Sequence, residues 1–277
     1  MKSLGVILFA VLLSLSETYG QNFFATLHSG YGFGTSPQYY NSSKNIYDNN
    51  GNYNISNSSK SFSFGEGLYV DGSFGYYFNA NIGAELDLQY SNSSNLSYGY
   101  SLIQPGYSNE NKTDAYSNAY LAIPSIIFIT AFNEFKPYLK IGAVIGMANL
   151  TYSVKTTQVQ PVNTNSLEAE SLYNGGLAFG YNTAIGIEYK AEEHVGLILE
   201  IDDRSLSYAP TKGKLNKDIV NGEDHLSTDP VDIKETDFVD EINYSNGTSD
   251  PNKPSQQLKS SYPFSSVSIS VGVKYNF

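Results

Sequence analysis

Three histidines and an Asp-Asp-Arg run are the residues of this chain that acid–base or hydrolytic chemistry would draw on. His28 lies in an alternating segment near the start, His194 in a short connection, and His225 in a long acidic stretch. A nucleophile, its base and an orienting carboxylate must come within hydrogen-bond reach of one another. No histidine here has a serine or carboxylate spaced to supply that set at an outer strand end. Asp202-Asp203 beside Arg204 offers an acidic pair for activating water, but neighbouring residues of a strand point to opposite faces. The expectation is therefore a non-enzymatic protein with no catalytic residue, no cofactor and no metal site. Residues 218–250 hold ten acids and one lysine, without the D-x-D-x-D-G spacing of a calcium loop. Two readings stay open for that run. One is a solvated, self-repelling stretch within a mobile, protease-accessible extracellular loop over 209–260; the other is a surface for divalent cations or a cationic partner.

Most other charges fall on one parity of alternating segments. Ile82, Ala84, Leu86, Leu88 and Tyr90 share one face of a strand, and Gly83, Glu85, Asp87 and Gln89 the other. Leu177, Phe179, Tyr181, Ile185, Ile187 and Tyr189 oppose Gly180, Asn182, Gly186 and Glu188. Val195, Leu197, Leu199 and Ile201 oppose Gly196, Glu200 and Asp202. The last residues repeat the pattern, with Val267, Ile269, Val271, Val273, Tyr275 and Phe277 against Ser268, Ser270, Gly272, Lys274 and Asn276. An apolar outer row over a polar inner row is the signature of a membrane-spanning barrel strand. A soluble lipocalin-like barrel would line its cavity with apolar side chains instead.

Short connections at 79–81, 131–135 and 191–194 alternate with long polar stretches at 36–60, 95–112, 153–170 and 209–260. Eight strands follow, near 22–35, 61–78, 82–94, 114–130, 136–152, 171–190, 195–208 and 261–277. The predicted fold is all-β: a transmembrane antiparallel up-and-down barrel of eight strands with long extracellular loops. Those loops are too poor in apolar residues to bury a core of their own. Segment 114–130 is apolar on both parities and carries Pro124, which cannot donate to a ladder, so a local irregularity is expected there. Aromatic girdles are predicted from Tyr76, Phe78, Tyr189, Tyr275 and Phe277 at the turn end, and from Tyr31, Tyr90, Tyr152, Tyr208 and Tyr262 at the loop end.

An eight-stranded barrel has an interior only wide enough for side chains. Glu85, Asp87, Lys140, Glu188, Lys190, Glu200, Asp202, Arg204 and Lys274 all take inward parity, and opposite charges confined there should pair. The expected result is a salt-bridged plug, with Lys140 and Lys274 neutralising neighbours such as Glu188 and Glu200. A narrow ion path is the alternative.

The first twenty residues read as a secretory signal peptide: Lys2, then an apolar run from Leu4 to Leu15, then small residues at Thr18 and Gly20. Cleavage is expected between Gly20 and Gln21, leaving 21–277 as the barrel domain. The run is too short to span a bilayer, which takes roughly 20 residues. No later segment is apolar enough to do so as a helix. A net charge of −11 excludes the basic footprint that nucleic-acid binding requires. Absence of cysteine removes disulfides and a lipoprotein anchor.

The chain resembles the OmpA/OmpX-like small barrels, grouped as outer-membrane β-barrel or porin-family proteins. Carrying the resemblance are Tyr76-Tyr-Phe-Asn-Ala-Asn-Ile-Gly-Ala-Glu-Leu86, Lys136-Pro-Tyr-Leu-Lys-Ile-Gly142, Gly186-Ile-Glu-Tyr189 and Val271-Gly-Val-Lys-Tyr-Asn-Phe277. It implies a Gram-negative outer-membrane protein, lodged in membrane lipid and inserted by an assembly machinery that reads the terminal aromatic strand, here Tyr275 and Phe277. These motifs specify architecture, not a ligand. The peptidoglycan-binding domain of full-length OmpA-like proteins is not seen, and the fourth loop is long for the compact members. The expected role is structural or surface-interacting, through extracellular loops and a partner the residues do not name. A small, weakly selective channel is the first alternative, and a barrel-embedded hydrolase the second.

Overall fold

The computed structural model describes residues 22–130, 132–242 and 250–277. The expected signal peptide and the Gly20–Gln21 cleavage pair lie outside the described residues. In chain order the first strands are β1 (Phe23–Gly34), β2 (Gln38–Tyr47), β3 (Tyr53–Phe62), β4 (Gly67–Tyr77), β5 (Ile82–Ser93) and β6 (Leu96–Gln104). Next come β7 (Tyr107–Ile129), β8 (Phe135–Gln160), β9 (Asn163–Asn174), β10 (Ala178–Lys190) and β11 (Val195–Tyr208). The last are β12 (Lys212–Val220), β13 (Glu223–Asp224), a helical turn α1 (Val231–Lys234), β14 (Glu235–Val239), β15 (Ser255–Leu258), β16 (Tyr262–Pro263) and β17 (Ser266–Asn276).

Eight of these strands close a ring in the order β1, β4, β5, β7, β8, β10, β11, β17, with every neighbouring pair antiparallel. Closure runs from Phe24 opposite Asn276 to Gly34 opposite Ser266. The alternation read from sequence decides which face lies where. Leu27, Leu88, Ile185 and Val271 are each about 60% exposed on the outside, whereas Glu85, Lys140 and Glu188 are at most 5% exposed inside. Leaving such an apolar side chain in water forfeits roughly 1.5–3 kcal/mol each, repeated around the whole ring. The outer surface is made for hydrocarbon, and the architecture is that of a transmembrane barrel.

The expected irregularity falls at Pro124. Leu121, Ile123, Ile127 and Ile129 face inward, and Pro124 faces out. The β7–β8 ladder lapses at 123–124 and resumes in the same register, Ala122 opposite Ile145 and Ser125 opposite Gly142. A residue with no N–H removes ladder bonds without adding a residue, so no slip follows.

The long polar stretches differ from expectation. They are β-hairpins that prolong the barrel strands: β2 with β3, β6 on the outer half of β7, the outer ends of β8 and β9, and β12 along β9. Their apolar residues are sparse in sequence but meet in space. Tyr40, Phe62, Phe64, Leu96, Leu150, Tyr208 and Phe264 are buried in one core, with Tyr98, Tyr152, Tyr173 and Tyr262 packed on it. Tyr152, Tyr208 and Tyr262 therefore close the barrel from within instead of joining an outer girdle. Tyr208 has the even parity of Glu200 and Asp202 on β11, which points it inward. At the turn end, aromatic contacts link Tyr76 to Phe78, Phe135 to Tyr189 and Tyr275 to Phe277, with centroids 5.2–5.8 Å apart.

The described residues of the acidic segment are built in the same way. Phe238 on β14 is buried against Tyr173, with centroids 5.2 Å apart. Lys212 pairs with Asp237 at 2.7 Å. Glu168 on β9 receives Lys155 at 2.7 Å and Lys217 of β12 at 2.6 Å. Hydrogen bonds from those two lysines hold its carboxyl at about 2. A depressed carboxylate contributes above its unfolded value, 4.5, and loses that contribution as pH falls toward the folded one. The protection factors of the amides along 167–170, exchange rates corrected for the intrinsic pH dependence, are thus expected to be flat from pH 7 to 5 and to fall between about 4.5 and about 2. Protection that declines already above pH 5 would assign the strand pairing to other groups.

Candidate functional site: the barrel lumen

The inner rows stack into layers along the axis. At the turn end, Lys274 of β17 donates to Glu188 of β10 at 2.8 Å and to the Tyr77 hydroxyl at 2.6 Å. Its ammonium lies 4.2 Å from the centroid of the Phe24 ring. Lys136 reaches Glu188 from the rim at 3.3 Å. One layer further in, Lys140 of β8 lies between Glu200 at 2.8 Å and Glu85 at 3.4 Å. Tyr138 donates to Glu200 at 2.6 Å, and Glu85 also accepts from Ser73 and from Thr26. Higher still, Arg204 donates to Gln89 at 2.8 Å and pairs with Asp202 at 3.3 Å. Asp202 also accepts from Tyr69 at 3.0 Å. The aromatic core of the hairpins lies beyond.

Eight of the nine residues assigned to the lumen from parity are buried there: Glu85, Asp87, Lys140, Glu188, Glu200, Asp202, Arg204 and Lys274. Lys190 is not. It is exposed at the last position of β10, where the barrel wall ends; parity gives direction but not the height of the wall. Lys274 takes Glu188 and Lys140 takes Glu200, each reaching past one intervening strand. Tyr275 and Phe277 lie at the turn end, where Tyr275 also stacks on His194.

Several lumenal residues escaped the sequence reading: Phe24, Tyr69, Asp71, Tyr77 and Tyr138. The parity of β4 carries Tyr69, Asp71 and Ser73 on one inner row, so that signal was available. His28 is buried with Nδ1 2.9 Å from Asp71. His194 sits on a turn and His225 among the outer hairpins. Asp202 faces the lumen and Asp203 the outside, so the acidic pair is split across the wall. Cavities in the lumen are small. One lined by Thr26, His28, Glu85 and Lys140 holds about 20 Å³, and one beneath Phe64 and Arg204 about 10 Å³. That is room for a single water at most in each.

No protein-family model and no curated protein sequence matches the chain. Among solved structures it is similar to Neisserial surface protein A, at 14% identity and a TM-score of 0.34, over 92% of this chain and 97% of that one. It is also similar to the outer membrane protease OmpT of Escherichia coli, at 9% identity and a TM-score of 0.26, over 92% and 97%. Both likenesses are distant in sequence and in structure.

Proposed function

We propose that this chain is an integral outer-membrane barrel of a Gram-negative envelope, of the OmpA/OmpX-like kind, with a closed lumen. In this reading it works as a structural surface protein whose outer hairpins meet an extracellular partner. The observation that carries it is the inverted surface: a ring of exposed aliphatic side chains around an ion-paired, nearly void-free interior. Lipid satisfies the outside, and the inside leaves no space for a substrate or a file of ions. A non-catalytic role is supported by the division of Asp202 from Asp203 and by the wide separation of the three histidines. The partners are membrane lipid, the assembly machinery that inserts such barrels, and a surface ligand of the hairpins.

Fractionation of expressing cells tests this. The protein is expected in the outer-membrane fraction, migrating faster on a gel when unheated than when boiled. Recovery from the soluble fraction, or migration indifferent to heating, would contradict it.

A further inference from the structure

The lumen buries six carboxylates, Asp71, Glu85, Asp87, Glu188, Glu200 and Asp202, against three permanent cations, Lys140, Arg204 and Lys274. Four of the acids are matched: Glu85 and Glu200 by Lys140, Glu188 by Lys274 and Lys136, Asp202 by Arg204. Among the described residues, Asp71 and Asp87 are the buried lumenal acids with no lysine or arginine ion pair. They are also neighbours. Strand register sets His28 of β1 opposite Asp71 of β4, and Asp71 opposite Gln89 of β5, two residues from Asp87 on the same inner row. One ligand-capable atom from each of His28, Asp71 and Asp87 lies within 4.8 Å of the other two.

The histidine supplies an independent sign. It is 3% exposed, its Nδ1 is engaged with Asp71, and its Nε2 has no hydrogen-bond partner. Buried polar atoms are nearly always satisfied, by protein, water or an ion. The shortfall of positive charge thus falls beside a buried imidazole whose Nδ1 lies close to the distance from Asp71 that two ligands of one ion keep. We infer that His28, Asp71 and Asp87 bind one divalent metal ion of the class that accepts mixed imidazole and carboxylate ligands, represented by Zn²⁺. Bonds of about 2.0–2.2 Å draw the three side chains together from their present spacing, and water completes the shell. Calcium and magnesium fit less well, since they take oxygen ligands in larger number. The ion ties three adjacent strands, including β1 at the seam that closes the barrel.

The test uses the refolded full barrel in detergent, stripped with chelator and equilibrated with Zn²⁺. Folded protein, recognised by its heat-modifiable migration, is expected to retain about one zinc per chain. His28→Gln and Asp87→Asn should each weaken retention about tenfold or more. If either variant fails to fold, the barrel loaded with Co²⁺ still decides the matter when compared with His225→Gln, which removes the histidine of the acidic segment and should leave the cobalt band unchanged. A visible absorption band from nitrogen and oxygen coordination is expected, bleached by added Zn²⁺. Folded wild-type barrel that keeps no zinc and shows no cobalt band would overturn the proposal, leaving protons as the neutralising charge. Equal zinc retention by wild type and both variants would overturn it too, by placing the ion elsewhere, for example in the acidic segment around His225.

Discussion

Replacing Lys140 by Met lowers the unfolding free energy of the barrel by about 3–5 kcal/mol, the cost of stranding buried charge. The lysine, Glu85 and Glu200 side chains are 6%, 2% and 8% exposed, so water cannot take over when the ammonium is lost. Two carboxylates lose their counter-charge at once. Glu85 keeps its hydroxyl donors Ser73 and Thr26, and Glu200 keeps Tyr138. Those are dipoles, and they do not balance a full charge in a region of low dielectric. Denaturant titration of the refolded barrel, followed by the unheated gel band, measures the loss. Adding Glu85→Gln and Glu200→Gln to the same chain should restore much of it, because the stranded charges are then gone. A Lys140→Met barrel within about 1 kcal/mol of wild type, the range of an exposed pair, would mean that solvent reaches this layer.

Phe24→Ala is expected to cost about 3–5 kcal/mol by a different route, the cavity left by a large buried ring. Phe24 is 1% exposed, packs on Tyr77 at 4.7 Å and lies beneath the Lys274 ammonium. Ile127 and Ile129 complete its apolar surroundings. Space for the ring is made by Gly75 on the neighbouring strand, where an added Cβ would come within 2.6 Å of three ring carbons. Gly75→Val should therefore destabilise as well, by about 1–3 kcal/mol of overpacking. The same denaturant titration reads both. A Phe24→Ala barrel as stable as wild type would show that the turn end of the lumen collapses freely around the gap.

Strand identity and facing were legible because a barrel wall imposes a period of two on every segment it buries. Glu85, Asp87 and Gln89 against Leu86, Leu88 and Tyr90 leave no second solution, since a one-residue slip would turn carboxylates to lipid. What alternation does not carry is height along the axis and partners across the lumen. Lys190 has the right parity and lies past the wall; Tyr208 has inward parity and anchors the outer core. The hairpins escaped for a related reason. Tyr40, Leu96, Tyr98 and Phe238 are scattered among Asn, Ser and Asp, and only strand pairing brings the first three into one core and Phe238 onto Tyr173 at its edge. The His28–Asp71–Asp87 group spans three strands, so its spacing in sequence holds no sign of its spacing in the fold.

The most direct test of a closed, lipid-embedded barrel is a planar-bilayer recording on refolded protein whose insertion is verified by its heat-modifiable band. Inserted protein is expected to show no steady open conductance, because the Lys274–Glu188, Lys140–Glu200 and Arg204–Asp202 layers and the aromatic core each fill the cross-section. A stable, ion-selective open channel at rest would contradict it, and would make those charges the lining of a pore.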